Sequence, residues 1–476
     1  MGDRPDEASV FRKISRVRAA RMATTMKTLK QRVIRAGGWA VTGFVTSQVI
    51  RLGGNLVLTR LLFPEAFGLM AIVYVFMAGL TLFSDLGINQ SIIQNQRGDD
   101  PDFLNTAWVV QILRGVLIWA TVLLIAYSLP AVVSKNWAPA GSVYADSLLP
   151  SILSLFSFTA LIQGFDSTKF ALAQRMVQLK RVTLIELFSQ ITALVVMLIW
   201  AWLYRSIWAL VGGAIVAVTV RCVMGHSWLS GPANRFKWDP QSFKEIFHFG
   251  KWIFLLSLLG FLYLNGDRLI LGGMLDATQL GVYSIAYLLS NAAMSLYSSV
   301  LSRVLFPALS EVAQYRPDNL KNVYQRIQII ADFSLFGVAG FLLVAGEGVV
   351  RILYDARYHD AGNMLSILAL GLIGARYAVV EFLWMAKGQM RYLIASNLIR
   401  LLVLCAGLPL GYWLAGIEGA LYGISFSFYA AWPVAVYYKA QHGLANWWKE
   451  LAALPVFFFA LVAGWLFMRV LAMVPG

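Results

Sequence analysis

Residues 67–74 read Phe-Gly-Leu-Met-Ala-Ile-Val-Tyr, and residues 280–287 read Leu-Gly-Val-Tyr-Ser-Ile-Ala-Tyr. The second segment follows the first by 213 positions, and Gly-Lys-Trp at 250–252 follows Gly-Gly-Trp at 37–39 by the same distance. Two matches at one spacing indicate that the second half of the chain repeats the first. An even number of spans in each half gives parallel repeats, an organisation in which two halves rock about a site at their interface. The alternative is that glycine and aromatic residues recur by chance in apolar helices.

The composition is that of a membrane protein. Of the 476 residues, 59% are hydrophobic and only 13% are charged. With its long apolar runs, this composition predicts an all-α polytopic membrane protein. A β-barrel would show alternation in segments of about ten residues, and the sequence shows none. Membrane topology accounts for most of the formal net charge of +15, so we expect no nucleic-acid partner.

Thirteen apolar segments are long enough to cross a bilayer. They are residues 38–62, 67–93, 103–132, 146–165, 182–204, 207–228, 252–274, 280–308, 327–350, 362–385, 392–414, 418–437 and 451–468. The predicted organisation is a basic cytoplasmic leader at 1–37, an N-lobe of six spans at 38–228, a cytoplasmic linker at 229–251, a C-lobe of six spans at 252–437 and an extra C-terminal span at 451–468. Gly231-Pro232 and Asp239-Pro240 suggest a hinge in the linker.

The distribution of lysine and arginine predicts the orientation. If the N-terminus is cytoplasmic, 26 of the 39 basic residues fall on the cytoplasmic side, five on the opposite side and eight inside spans. Basic residues concentrate in cytoplasmic loops, so this bias supports both the spans and the orientation. The basic leader also fits an interfacial helix that contacts anionic lipid.

All eight basic residues inside the spans are arginines. They are Arg51, Arg60, Arg114, Arg221, Arg268, Arg303, Arg376 and Arg400. A charge inside a bilayer is costly and generally faces a cavity or a partner. Because the guanidinium fork matches phosphate oxygens in pairs, this preference for arginine predicts an anionic, phosphate-bearing substrate. The five deepest, our candidate binding residues, are Arg51, Arg114, Arg268, Arg376 and Arg400, whereas Arg60, Arg221 and Arg303 lie near span ends and could snorkel to headgroups.

Four of the deep arginines follow an amide residue by three positions. The pairs are Gln48–Arg51, Gln111–Arg114, Asn265–Arg268 and Asn397–Arg400. This spacing places both side chains on one helix face, and in the first span the polar face continues through Asn55 and Thr59. We therefore predict a wet cavity with Arg51, Gln48 and Asn55 among its binding residues. The alternative is interhelical hydrogen bonding that holds the bundle together.

Carboxylates within the spans are fewer than arginines. Asp85 and Glu381 could carry a coupling proton or sodium ion, or could simply neutralise an arginine. Asp267 neighbours Arg268 in sequence but points about 100° away on a helix, so the two are not an automatic pair. No phosphate-binding loop and no metal-ligand spacing of the four histidines is present, so neither a cofactor nor a metal is expected.

Several stretches resemble the opening of bacterial polysaccharide, or Wzx-type, flippases of the multidrug/oligosaccharidyl-lipid/polysaccharide exporter superfamily. They are Leu58 to Ala71, Phe83 to Gln94 and Asp102 to Trp108, echoed by Asn265 to Gly273 and Leu280 to Ala286. The resemblance implies two six-helix lobes in a V-shaped bundle around a cationic cavity. It implies a substrate of undecaprenyl-pyrophosphate-linked oligosaccharide, moved between leaflets of the bacterial cytoplasmic membrane. The thirteenth span departs from the family, whose members usually have an even number.

We therefore expect a lipid-linked oligosaccharide flippase that works by alternating access in surface or exopolysaccharide or O-antigen assembly. Its expected partners are membrane lipids, the lipid-linked oligosaccharide, a polysaccharide polymerase and other assembly proteins. A multidrug or lipid II exporter of the same superfamily is the second hypothesis, although an exporter of cations would favour carboxylates in its cavity. A membrane polymerase or ligase is the third, although such an enzyme would need a larger outer loop.

Overall fold

A computed structural model of the protein describes residues 37–39, 41–84, 87–135, 139, 141–302 and 306–473. The main helices run in chain order as follows: α1 at 41–61, α2 Pro64–Phe83, α3 Pro101–Ser134, α4 Leu149–Gly164, α5 Leu179–Tyr204, α6 Trp208–Trp228, α7 Pro240–Gly272, α8 Ala277–Val300, α9 Leu320–Leu353, α10 Asp360–Gly374, α11 Met390–Ser427, α12 Trp432–Gln441 and α13 Leu454–Met473. The described residues contain no strand, so the all-α prediction is confirmed.

The apolar helices confirm a polytopic membrane protein. By length and composition, eight helices of the described part can cross a membrane, or nine if the bent pair Leu149–Gly164 and Lys169–Arg175 forms one span. Helices lie on all thirteen predicted segments, while the number that cross the membrane stays a prediction. The leader up to residue 36 lies outside the described residues, and the lobe boundaries stay predictions.

Helix α7 begins earlier than the sequence pattern suggested. Pro240 occupies its first turn, and the Asp239 carboxylate accepts hydrogen bonds from the backbone N–H groups of Gln241 and Ser242. Aspartate before proline is a favourable helix start, because the side chain caps free N–H groups and proline needs no N–H partner. The dipeptide interpreted as part of a hinge is therefore the N-terminus of a 33-residue helix.

Two elements in the second half are interrupted. The residues labelled α11 form two helices joined at Ala415 and Gly416, and Gly416 has a φ of +60°, which favours glycine. Gly411 before this turn lies against the backbone of Gly419 after it, so the two helices are antiparallel and lie on the separate predicted segments 392–414 and 418–437. Helix α10 passes through a short 3₁₀ turn, Ala375–Tyr377, before a further helix, Ala378–Ala386. The turn carries Arg376 and sets its position relative to α9.

The two halves meet where α2 crosses α8, at the end of the bundle that we call the upper end because α1 ends there and α2 and α8 begin there. A Cβ added at Gly68 would lie 1.9 Å from the carbonyl oxygen of Ala277, and one added at Gly281 would lie 1.9 Å from that of Pro64. The two contacts are equivalent under the predicted 213-residue repeat. The crossing therefore has the local two-fold relationship that parallel repeats predict.

A candidate substrate cavity between the halves

A cavity of about 1090 Å³ lies below the α2–α8 crossing. Helices α1, α2, α4, α5 and α6 of the first half line it together with α7 and α8 of the second half. Most of its wall is apolar. The polar and charged side chains on the wall are Arg51, Asn55, Thr81, Thr159, Gln163, Glu186, Ser189, Gln190, Arg221, Arg268, Ser284 and Asn291, with the hydroxyls of Tyr74 and Tyr287.

Contacts between the halves close the upper end of this cavity. Arg357, which follows α9, donates to the carbonyl oxygens of Leu62 at 3.0 Å and Thr59 at 2.8 Å. These carbonyls lie at the C-terminus of α1, where backbone oxygens lack helical partners and attract a cation. Asp355 holds the Arg357 guanidinium, and this hydrogen bond lowers the pKa of the Asp355 carboxyl. Tyr354 adds a hydrogen bond of 3.2 Å to the Asn55 amide oxygen.

Arg51 lies on the cavity wall with its charge uncompensated. Its side chain is exposed, and it forms no hydrogen bond or ion pair with another described residue. Asn55, one turn above it, lies on the same wall, as the predicted polar face of α1 requires. Gln48, the third predicted member of this face, is half-buried but is not part of the wall. A free guanidinium in an apolar cavity is a ready anion site.

Arg268 lines the same cavity from the second half and is held in place by its neighbours. It donates to the Asn265 amide oxygen at 2.9 Å, as the three-residue spacing predicted, and to the Tyr287 hydroxyl at 3.1 Å. Its guanidinium carbon lies 4.2 Å from the centre of the Tyr287 ring. Asp267 points instead to Tyr283, whose hydroxyl donates to it, and its other oxygen is 3.8 Å from the Arg268 Nε. Arg268 thus keeps an orientation toward the cavity.

The structure keeps Arg114 away from the cavity wall. Its guanidinium donates to the Ser84 hydroxyl at 3.0 Å and to the Thr81 carbonyl at 2.5 Å. Both acceptors lie at the C-terminus of α2, so Arg114 ties α3 to the end of that helix. Gln111 donates to the carbonyl oxygens of Gln163 and Asp166 and joins α3 to the end of α4. These contacts match the alternative interpretation, in which polar side chains join helices.

Arg376 is buried in an ionic cluster inside the second half. Its Nε and one terminal nitrogen reach the two oxygens of Asp332 at 3.1 and 2.5 Å. Glu450 lies 3.9 Å away and accepts hydrogen bonds from Tyr377 and Lys439. The cluster joins α9 and α12 to the short helix Trp447–Leu451 that precedes α13. It is balanced in charge and does not face the cavity.

Arg400 is also paired inside the second half. It lies 2.6 Å from Glu381, and both side chains are largely removed from solvent. Of the two roles predicted for Glu381, neutralisation of an arginine agrees with this ion pair. The other role, coupling to a proton or sodium ion, stays a prediction. Asp85, the other coupling candidate, lies outside the described residues. Substrate contact by Arg114, Arg376 and Arg400 stays a prediction that this conformation does not favour.

Sequence reasoning missed two charged residues of the cavity wall as binding candidates. Arg221, which we expected to snorkel, lines the cavity, lies over the Phe170 ring and forms an ion pair with Asp166. Glu186 lies on the wall near the lower end of α5. Arg60 is exposed outside the cavity, and Arg303 lies outside the described residues. Neither helix periodicity nor spacing shows which face of α5 or α6 turns inward.

Comparisons with known proteins bear on the family. A family model described as polysaccharide biosynthesis protein matches residues 57–363. The lipopolysaccharide biosynthesis protein WzxC of Escherichia coli is 21% identical over 403 residues, which are 83% of this chain and 78% of that protein. A membrane protein from the cps region of Klebsiella pneumoniae is 21% identical over 399 residues, covering 83% and 80%. The amylovoran biosynthesis protein AmsL of Erwinia amylovora is 25% identical over 291 residues, covering 57% and 73%.

Solved structures share the fold. The lipid II flippase MurJ in an inward closed conformation superposes with a TM-score of 0.71 at 13% identity, covering 92% of this chain and 93% of that one. An inward-facing multidrug resistance transporter of the MATE family gives a TM-score of 0.64 at 13% identity, covering 83% and 94%. The superposition covers nearly the whole helical bundle, and the family model spans well over half of the sequence. The chain therefore belongs to the family of polysaccharide biosynthesis proteins.

Proposed function

We propose that this protein is a flippase that moves undecaprenyl-pyrophosphate-linked oligosaccharide from the inner to the outer leaflet of the bacterial cytoplasmic membrane. The observation that carries the proposal is Arg51, an unpaired guanidinium in an apolar cavity between the two halves. Relatives named for lipopolysaccharide, amylovoran and teichuronic acid biosynthesis support a glycan substrate. The fold shared with a lipid II flippase supports a lipid-linked one.

The cavity suits a diphosphate linked to sugars. A diphosphate leaving water needs charged donors, because an uncompensated anion is very costly in a low-dielectric site. Arg51 from the first half and Arg268 from the second can offer forked donors to the two phosphates. Tyr287 borders Arg268 and the cavity, and its ring fixes one guanidinium by a cation–π contact. The lipid tail stays in the bilayer while the polar head occupies the cavity.

The contacts that close the upper end show which interactions must break during transport. To release a head group on that side, α2 must separate from α8 at Gly68 and Gly281. Arg357 must also leave the carbonyl oxygens of Thr59 and Leu62. With the N-terminus in the cytoplasm, the upper end faces outward and the present conformation is closed to the outside. A polymerase that receives the flipped product, and other assembly proteins, would act on that side.

Complementation tests this function. We would delete the gene and measure surface polysaccharide together with lipid-linked precursor on the inner face. We expect the deletion to abolish the surface polymer and to cause the lipid-linked precursor to accumulate. The wild-type gene should restore export, whereas Arg51→Ala and Arg268→Ala should not, although all three proteins are equally abundant in the membrane. Arg60→Ala, an exposed arginine of the same helix as Arg51, is the matched control and should restore export. Normal polymer in the deletion strain, combined with drug sensitivity, would instead favour a multidrug exporter.

A further inference from the structure

The charge on the cavity wall changes sign along its length. Arg51 and Arg268 line the cavity on either side of the interface between the halves and both lie near Tyr287, whereas Glu186 lies nearer the lower end of α5. Glu186 is the one carboxylate among the described residues that line the cavity. Its side chain is exposed and forms no hydrogen bond or ion pair with another described residue. Because no described protein group pairs with it, this carboxylate is free to interact with a molecule bound in the cavity.

Contacts between α1 and α5 fix the height of Glu186 relative to Arg51. The two helices run in the same direction, with Gly43 against Thr183 and Gly54 against Leu194. Between these contacts, the Ser47 hydroxyl donates to the Gln190 amide oxygen at 2.8 Å. In the register of the two glycine contacts, Glu186 lies level with position 46, and the rise of about 1.5 Å per residue places it about 7 to 8 Å below Arg51. The carboxylate thus lies within reach of the sugars next to a diphosphate held at Arg51.

Arg221 does not cancel the Glu186 charge. Arg221 is close enough to Glu186 for electrostatic attraction, but its own charge is compensated by the ion pair with Asp166. The Asp166 side chain is largely buried beneath it. The charges of Glu186, Arg221 and Asp166 therefore sum to one negative charge. Gln163 and Asn291 also line the cavity, and their side-chain amides have no hydrogen-bond partner among the described residues.

We propose that Glu186 is a specificity residue that selects glycans whose first sugars carry no negative charge. The inference rests on the proposed function and concerns the sugar part of the same substrate. Sugar hydroxyls can donate to the Glu186 carboxylate and exchange hydrogen bonds with the amides of Gln163 and Asn291. An acidic sugar at this position would place a second carboxylate beside Glu186, and such juxtaposition of like charges disfavours binding of the acidic sugar. The arginines then serve the diphosphate and not an acidic sugar.

Two synthetic substrates test this selection against acidic sugars, which we call the charge filter, in proteoliposomes that contain the purified full-length protein. One is a polyprenyl-diphosphate disaccharide of N-acetylglucosamine and glucose, and the other carries glucuronic acid in place of glucose. For wild type we expect the neutral compound to be flipped at least tenfold faster than the acidic one. Glu186→Gln should reduce that ratio to below threefold, and Glu186→Lys should invert it. Glu418→Gln, an exposed carboxylate away from the cavity, should keep the wild-type ratio.

Each outcome separates the filter from the function. Equal flipping rates for the two compounds in the wild-type protein would contradict the charge filter but not the flippase function. The same conclusion would follow if the ratio of the two rates were unchanged in Glu186→Gln. If wild type moves neither compound, the proposed function fails and the filter fails with it. If Glu186→Gln does not elute as a folded protein in size-exclusion chromatography, Glu186→Ala, which also removes the charge, takes its place and must likewise reduce the ratio to below threefold.

Discussion

Gly68 and Gly281 lie against each other's helices at equivalent positions of the two halves. A Cβ at either position would approach a backbone carbonyl oxygen of the other helix to 1.9 Å, so the crossing leaves no room for a side chain. Thr278 adds a hydrogen bond of 2.9 Å to Glu65, and these two positions are also separated by 213 residues. The crossing therefore brings together segments that the predicted repeat makes equivalent, and the repeat itself stays a prediction.

Substituting either glycine should weaken this closure. We expect Gly68→Ala to disfavour the closed conformation by about 1 to 3 kcal/mol, the usual cost of an added methyl group in a packed contact. The measurement is disulfide formation between cysteines placed at Glu65 and Thr278, with Cys222 and Cys405 replaced by serine. Cross-linking should be fast in the parent and at least fivefold slower with Gly68→Ala. Gly53→Ala, with open space around it, is the control, and equal rates in all three proteins would contradict a closure at this crossing.

The Arg376–Asp332 pair should be a determinant of stability. Asp332→Asn removes the charge that compensates a nearly buried guanidinium, and we expect a loss of about 3 to 5 kcal/mol of folding free energy. Thermal unfolding of the purified protein in detergent provides the measurement. A loss of transport with an unchanged melting temperature would instead assign Arg376 to the substrate.

The Arg400–Glu381 pair allows a charge-swap experiment. Each single change, Arg400→Glu or Glu381→Arg, leaves two like charges together inside the second half and should lower the folded yield severely. The double exchange restores an ion pair, so we expect it to recover a substantial part of that yield, as judged by monodisperse protein in detergent. If the double variant is worse than both singles, the pair is not the neutralising contact that the geometry indicates.

Acid should loosen the contact between the segment before α3 and the start of α7. Arg97 forms ion pairs with Asp100 at 3.0 Å and Asp239 at 3.4 Å. The Asp102 backbone N–H and then Arg97 lower the pKa of Asp100, while hydrogen bonds from Ser242 lower that of Asp239. Because both pKa values are lower in the folded state, the stabilisation is complete above the unfolded value of about 3.9 and is lost as the pH falls through the folded values.

Hydrogen exchange can detect this loss. After correction for intrinsic rates, the first turns of α7 should exchange faster at pH 3 than at pH 6 in wild type. In Arg97→Gln the difference should be smaller, since the ionic partner is already absent. An Arg97→Gln profile identical to wild type at both pH values would show that these ion pairs do not hold the segment.

Local patterns predicted the local features well. Helices on the predicted segments followed from apolar length, and the Asn265–Arg268 contact followed from a spacing of three residues on one helix face. The same logic put Arg51 and Asn55 on a common polar face, and both line the cavity. These predictions succeed because the periodicity of a helix fixes which neighbours share a side.

Partners far apart in the sequence could not be predicted in this way. Arg376 pairs with Asp332 on the preceding long helix, and Glu450 joins them from just before α13. The position of an arginine along its predicted span does not show whether a neighbouring helix supplies a carboxylate at the same depth in the membrane. The rotation of α5 that turns Glu186 inward depends equally on how α5 packs against α1.

The most direct test of the proposed function is flipping by the purified protein in proteoliposomes. A fluorescent polyprenyl-diphosphate disaccharide would be followed by its loss of accessibility to a membrane-impermeant quencher, for wild type, Arg51→Gln and Arg60→Gln. Wild type and Arg60→Gln should flip the compound at similar rates. Arg51→Gln should be at least tenfold slower, because charge-assisted hydrogen bonds to phosphate contribute about 1.5 to 3 kcal/mol. Equal rates in all three, or no flipping above protein-free vesicles, would contradict a flippase with a cationic cavity.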